Sequence, residues 1–317
     1  SNNIQQLKKL MMNPERYEKL AAKFPHKISG EHLFRGAMVH GGMLKEGTPE
    51  AEAYDNIDLT ADDCIIASYA KSGTTWTQEI VWLLYNQVNT DKAKKIELMN
   101  RCPFIEVASR IAVIKALEKP KLTKTHVPYN ALPKSYHNPE STRPKVVYVA
   151  RNPKDVAVSF YHFYRSNKSL GNFNRGWEEF FEMFVEGYVG GGSWFDHIIP
   201  WYKASVQNPD VLFMKYEDMK RNPIEEIQKI ATFLGKDVND EMLEKIHQHT
   251  KFDSMKSNPM VNFTNISVID HSVSPFMRKG EIGDWKNYFT VSQDERFMKM
   301  YNDKMGQIDF DLTFDFE

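Results

Sequence analysis

The chain has 317 residues, with 41 lysines and arginines against 42 aspartates and glutamates and a formal net charge of −1. That balance excludes a bulk electrostatic footprint for nucleic acid or an anionic membrane, so any basic patch must be local. The length accommodates one large α/β domain with a sizeable core. Cys64 and Cys102 have neither the number nor the spacing of a disulfide framework or a zinc site, which predicts a reducing compartment.

Residues 1–30 read as helical around Leu7, Leu10, Met11 and Tyr17, and residues 31–60, with Gly41-Gly42 and Gly47-Thr48-Pro49, as irregular cover before the first strand. Ser1 to Lys9 lacks the apolar core of a signal peptide, and no segment approaches the ~20 apolar residues that span a bilayer. The expectation is a cytoplasmic protein that contacts neither membrane nor nucleic acid. Sequons at Asn167, Asn262 and Asn265 carry little weight without secretion.

The apolar strand Cys64-Ile65-Ile66-Ala67-Ser68 runs into Tyr69-Ala70-Lys71-Ser72-Gly73-Thr74-Thr75-Trp76, and Thr77–Tyr85 has the apolar spacing of a buried helix. The turn therefore sits at a helix N-terminus, where unpaired N–H groups and the helix dipole converge. Gly73 permits close backbone approach, Ser72, Thr74 and Thr75 add hydroxyls, and Lys71 adds a full charge. An oxyanion of phosphate or sulfate size fits such a cradle; a Ser/Thr-rich cap with a surface lysine is the plainer alternative. The nucleotide-binding pattern G-x-x-x-x-G-K-[ST] fails, because Lys71 precedes the glycine.

Further strands are expected at Lys121–Thr125, Lys145–Ala150 and Val211–Tyr216, and helices at Lys154–Arg165, Trp177–Val185, Ile224–Leu234, Asp240–His249 and Gln293–Met305. This alternation predicts an α/β fold, a single domain over 1–317 with a central, mostly parallel sheet flanked by helices and a P-loop-like turn. Residues 251–284 form a long connection rich in Pro, Gly, Asn and Ser, the kind of ordered loop that serves as a lid or binding loop.

His126 directly follows the strand-like run Lys121–Thr125, at the carboxyl edge where open parallel sheets bind ligands, and an imidazole there can accept a hydroxyl proton. A lone histidine is also commonly structural. Arg151, with Ser159 two helical turns later, offers a second anion site, and Arg278-Lys279-Gly280 brings two adjacent cations to a flexible loop that could close over the same ligand. No carboxylate cluster is arranged for a divalent metal. Phosphoryl transfer normally recruits Mg²⁺, so the combination favours transfer of the less charged sulfuryl group from a nucleotide donor.

These motifs, in this order over nearly the whole chain, resemble the cytosolic sulfotransferases, which move sulfuryl from 3′-phosphoadenosine 5′-phosphosulfate (PAPS) to a small-molecule hydroxyl or amine. Lys71–Trp76 resembles the family's 5′-phosphosulfate loop, Arg151–Asp155 with Ser159 its 3′-phosphate site, and Arg278–Gly280 followed by Gly283–Lys286 its C-terminal PAPS signature. The resemblance implies that Trp76 and Phe252 sandwich adenine, that Tyr216 contacts the nucleotide, and that Thr250 to Met255 line its pocket. It implies His126 as general base, Lys71 and Lys124 as charge stabilisers, Ser159 as a restraint on Lys71, and Phe104 and Phe163 as acceptor-pocket walls. 3′,5′-Phosphoadenosine (PAP) is the implied product, with no metal, and residues 1–60 cover the acceptor side.

Lys286, Thr290, Val291 and Glu295 match the family's dimer motif and imply a homodimer, although Thr290 is equally a helix-cap residue. Ala70 and Ala150 depart from the family's usual proline and cysteine without removing a functional group; a missing proline loosens the loop by less than ~1 kcal/mol. Two rivals use the same residues: a dehydratase that sulfates an allylic alcohol and then eliminates sulfate, and a non-catalytic PAPS or small-molecule binder.

Overall fold

The computed structural model describes residues 12–308 and 311–317. The expected helix around Leu7, Leu10 and Met11 lies outside the described residues; Tyr17 belongs to helix α1 (Pro14–Lys23), capped by Asn13. Residues 31–60 are more regular than their composition suggests. They hold a hairpin of β1 (His32–Phe34) and β2 (Ala37–Val39) and a helix over Pro49–Asp55. The two hairpin turn residues, Arg35 and Gly36, both have positive φ, 48° and 83°, as a tight primed turn requires. Three-residue strands are too short to generate a readable alternation, which is why this unit looked irregular.

Four parallel strands form the main sheet: β3 (Cys64–Ser68), β4 (Leu122–Thr125), β5 (Lys145–Ala150) and β6 (Val211–Lys215), in the order β4-β3-β5-β6. Alternate residues feed opposite faces. Ile65, Ala67, Val146 and Tyr148 join one core layer, and Cys64, Ile66, Val147 and Val149 the other. A sheet buried on both faces reads as continuous apolar runs, so these strands fall within a residue of their expected bounds. The chain leaves β3 toward β4 and returns across it to β5, so the order reverses between β3 and β5 and a crevice opens at their carboxyl ends.

Helices α2 (Thr74–Tyr85), α3 (Pro153–Ser166) and α4 (Trp177–Glu186) lie close to expectation. Helix α5 (Trp194–Gln207) was not anticipated, because Pro200 in its interior reads as a breaker. Burial of Trp194, Phe195, Ile198, Ile199 and Trp201 outweighs that penalty. Tyr216, expected to end a strand, instead starts α6 (Tyr216–Arg221). Then come α7 (Pro223–Leu234), α8 (Asp240–His249), α9 (Phe252–Lys256), which occupies the start of the expected loop, and α10 (Val291–Met305). Thr290 and Gln293 form a reciprocal capping box on α10.

Candidate active site

The crevice is a cavity of about 610 Å³, walled by the turns after β3, β4 and β5, the β1–β2 hairpin and the connection from 251 to 284. Its polar wall begins at the turn between β3 and α2. Lys71 has φ 68° and Gly73 φ 99°. A Cβ at Gly73 would come within 2.8 Å of the Tyr216 ring, so glycine is required both by conformation and by close approach. Gly73 caps α2 without a side chain, leaving first-turn N–H groups available for an anion.

Arg151, at the end of β5, ties three segments together. It donates to the Lys71 carbonyl at 3.3 Å and the Glu281 carbonyl at 2.8 Å, and its guanidinium lies 4.4 Å from the Tyr216 ring centroid. Nε of Arg151, Nε of Arg278 and Nε1 of Trp76 are buried on cavity-lining residues and have no hydrogen-bond partner among the described residues, and the same holds for the Ser72 hydroxyl. Each unmet buried donor costs about 1–3 kcal/mol, and their convergence on one wall suits a polyanionic ligand.

Asp155, the last residue of the Arg151–Asp155 motif, anchors the loop bearing Arg278. Its carboxylate accepts the Gly283 and Trp285 N–H groups at 2.8 and 3.0 Å. Arg278 and Lys279 both pair with Asp284. Burial works to raise the Asp284 carboxyl, but hydrogen bonds from Lys279, Arg278 and Asn287 hold it at about 2. Phe252 packs against Gly280, where a Cβ would lie 2.3 Å from the ring. Thr250 and Met255 line the same end of the cavity, and Trp76 meets Tyr216 edge-on at 5.7 Å.

His126 sits one residue past β4. Its Nδ1 lies 2.8 Å from the Ser68 carbonyl, which can only accept. Nδ1 therefore carries the proton, and Nε2 keeps a lone pair that no described residue engages. Burial, then the positive charge of Lys124, pushes the His126 pKa well below its ordinary value, so the ring is neutral near pH 7. Glu106, unnoticed in the sequence, accepts the His126 N–H at 2.6 Å and is 2% exposed. Burial raises its carboxyl to about 7 against the lowering effect of that hydrogen bond.

Two lysines flank the histidine. Lys124 Nζ lies 4.3 Å from the Phe104 ring, and Phe104 meets His126 edge-on at 5.1 Å. Lys71 Nζ lies between the rings of Phe163 and Phe276, at 4.4 and 4.3 Å. Burial, then repulsion from Arg151, Lys124 and Arg278, lowers Lys71 to about 7. Ser159 lines the cavity one turn before Phe163, but no hydrogen bond joins it to Lys71 among the described residues; the two rings hold that ammonium instead.

The opposite wall is apolar: Met38, Val39 and Met43 from the hairpin region, and Phe263, Ile266 and Ile269 from the long connection. None was legible as a site residue, since isolated apolar side chains in turn-rich segments resemble core. Asn167 and Asn262 are buried, and each side-chain amide is hydrogen-bonded within the protein; Asn265 is exposed. Among the described residues there is no cluster of metal-ligating side chains and no helix long and apolar enough to cross a membrane.

A neutral histidine facing a cation-lined crevice at the switch point of a parallel sheet is the equipment of a group-transfer enzyme with an anionic donor. The family model described as Sulfotransferase domain matches residues 61–309, and the chain belongs to that family. It is a PAPS-dependent sulfotransferase. It is 49% identical to Sulfotransferase 1B1 of Canis lupus familiaris over 278 residues, 85% of this chain and 92% of that protein. Among solved structures, mouse sulfotransferase SULT7A1 complexed with PAP matches with a TM-score of 0.70 and 32% identity, covering 89% of this chain and 97% of the other. Retinol dehydratase in complex with retinol and PAP matches with a TM-score of 0.78 and 27% identity, covering 96% and 98%.

Proposed function

We propose that the polar wall holds PAPS and that His126 is the general base for transfer to a hydrophobic acceptor bearing a hydroxyl or amine. The observation that carries this reading is the His126 tautomer: Nδ1–H given to Ser68, Nε2 unengaged. The turn from Lys71 to Trp76 would take the 5′-phosphosulfate, Arg151, Ser159, Arg278, Lys279 and Gly280 the 3′-phosphate end, and Trp76, Tyr216, Thr250, Phe252 and Met255 the adenosine. The unpartnered donors on Arg151, Arg278 and Trp76 fit such a ligand.

Transfer is a direct in-line displacement. The acceptor oxygen forms a bond to sulfur as the bond from sulfur to the 5′-phosphate oxygen breaks; the acceptor proton passes to His126 Nε2, and PAP leaves. Lys71 stabilises charge on the departing oxygen and Lys124 the sulfuryl oxygens. Phe104 and Phe163 bound the acceptor with the apolar wall. The buried, unpaired Cys64 and Cys102 accord with a cytosolic setting. A homodimer through Lys286, Thr290, Val291 and Glu295 accords with Val291 being 77% exposed beside the cap of α10.

A labelled-PAPS assay across phenols, alcohols, steroids and amines tests the assignment. The parent should sulfate some of them, and His126→Ala should turn over on the order of 10² to 10⁴ times more slowly with PAP affinity unchanged. Undiminished turnover in His126→Ala would remove the histidine from the mechanism. Free sulfate and an anhydro product, in place of a sulfate ester, would mark the dehydratase course for which the likeness to retinol dehydratase is the supporting observation.

A further inference from the structure

His126 lies where the sheet can no longer hold it. β4 is an edge strand, and its pairing with β3 ends at Thr125 opposite Ala67. Beyond that point the His126 N–H and C=O need partners from elsewhere. The N–H goes to Glu106. The C=O accepts from Nε2 of His197, at 2.9 Å, and the neighbouring Val127 carbonyl accepts from Trp201 Nε1 at 3.1 Å. Both donors stand on α5, one turn apart.

His197 is itself fixed. It has no exposed surface, and its Nδ1 lies 2.9 Å from the Tyr148 hydroxyl on β5. Because the His126 carbonyl only accepts, Nε2 of His197 carries the proton and Nδ1 accepts from Tyr148. Burial holds His197 at about 4, so it stays neutral in this donor form. The ring of Tyr69, on the anion turn, packs edge-on against it at 5.4 Å. The chain thus reaches the His126 backbone from β5 and α5, through a relay of Tyr148, His197 and His126.

We propose that His197 is a positioning residue for sulfuryl transfer: by holding the His126 carbonyl, it keeps the His126 ring on the Ser68 carbonyl, with Nε2 turned out as the base. The proposal rests on His126 being that base. Without the bond, the end of β4 can shift, Nδ1 can leave Ser68, and the ring gains access to solvent. A displacement of about 1 Å at a reacting group can cost on the order of 10²-fold in rate. The groups that set the His126 charge are Lys124 on its own strand, Lys71 across the cavity, His197, and Glu106 at its N–H.

The test follows the His126 imidazole by NMR titration in the PAP-bound protein, alongside kcat and KM from labelled PAPS, in the parent, His197→Phe and His197→Gln. His197→Phe should lower kcat by about 10- to 100-fold with acceptor KM and PAP affinity retained. It should also move the His126 midpoint up toward the ordinary histidine value, shifting the acid limb of kcat to higher pH. His197→Gln, whose amide can give the same hydrogen bond, should recover most of both. Parental turnover and midpoint in His197→Phe would overturn the proposal, as would His197→Gln falling equally far with PAP affinity lost.

Should His197→Phe not fold, Tyr148→Phe decides. It frees the His197 tautomer and should shift the His126 midpoint in the same direction with a severalfold loss of kcat; no shift would overturn the proposal. If the parent sulfates no acceptor while the midpoint still moves in His197→Phe, the assigned activity falls and the backbone clamp stands.

Discussion

The two walls of the cavity are built on opposite plans. The proposed donor wall is made where strands run directly into helices: Lys71 to Trp76, from the turn after β3 into the first turn of α2, and Arg151 between β5 and α3. Each is a contiguous segment with a charge at its start, and the first adds hydroxyls and the left-handed backbone of Lys71 and Gly73. The proposed acceptor wall is collected from Met38, Phe104, Phe163, Phe263 and Ile269, residues from four distant segments with no polar signature in common. A ligand whose charges must be met needs local, pre-set donors, whereas a hydrophobic one needs only shape, which any apolar residue brought near by the fold can supply. Donor and acceptor recognition should therefore be separable by mutation.

The largest expected separation, after loss of the base, is at Arg151. Arg151→Ala should weaken PAP binding by roughly 10- to 100-fold, the range of a lost hydrogen bond to a charged group, and leave acceptor KM alone. Calorimetry should find the same variant binding an analogue without the 3′-phosphate as the parent does. Equal losses for both ligands would move Arg151 away from that phosphate and blur the distinction between its walls.

Proton linkage sharpens the same comparison. Lys71 is lowered to about 7 by burial and by neighbouring cations, so above that pH the amine is largely neutral. A phosphate-rich ligand favours the ammonium form and should draw a proton onto it. PAP binding is expected to take up close to one proton at about pH 8 and about half as much near pH 7, with affinity falling as pH rises above that, where the phosphates are already ionised. Titration calorimetry in buffers of different ionisation enthalpy measures this, and zero uptake at the higher pH would mean that Lys71 does not face the bound anion. Acceptor binding, on the apolar wall, should show no such linkage.

Smaller effects are expected elsewhere. Phe104→Ala removes a ring that contacts both Lys124 and His126; it should raise acceptor KM by about 10-fold while PAP affinity stays put. A parallel loss of PAP affinity would join the two walls into one site. Val291→Glu, on the surface at the start of α10, should leave kcat and both KM values as they are and convert a dimer to a monomer in sedimentation. A parent that is already monomeric would discard the dimer.

The amino-acid sequence by itself determined the parallel sheet, because strands buried on both faces are continuous apolar runs, and it marked the turns of the proposed donor wall, because anion binding at a strand-to-helix turn is a local property of a few consecutive residues. It also marked His126, by placing it at a strand end. Only the tertiary structure decided what suits that histidine to the proposed role of base. The Ser68 carbonyl, Glu106 and His197 are 58, 20 and 71 residues away along the chain, and none carries a sequence pattern that pairs it with His126. The acceptor wall and helix α5 were hidden for a related reason: short strands, an interior proline and scattered apolar side chains acquire their meaning from what they pack against. Hydrogen-bond direction and burial depend on three-dimensional neighbours, and these turned a histidine at a strand end into a neutral, oriented proton acceptor.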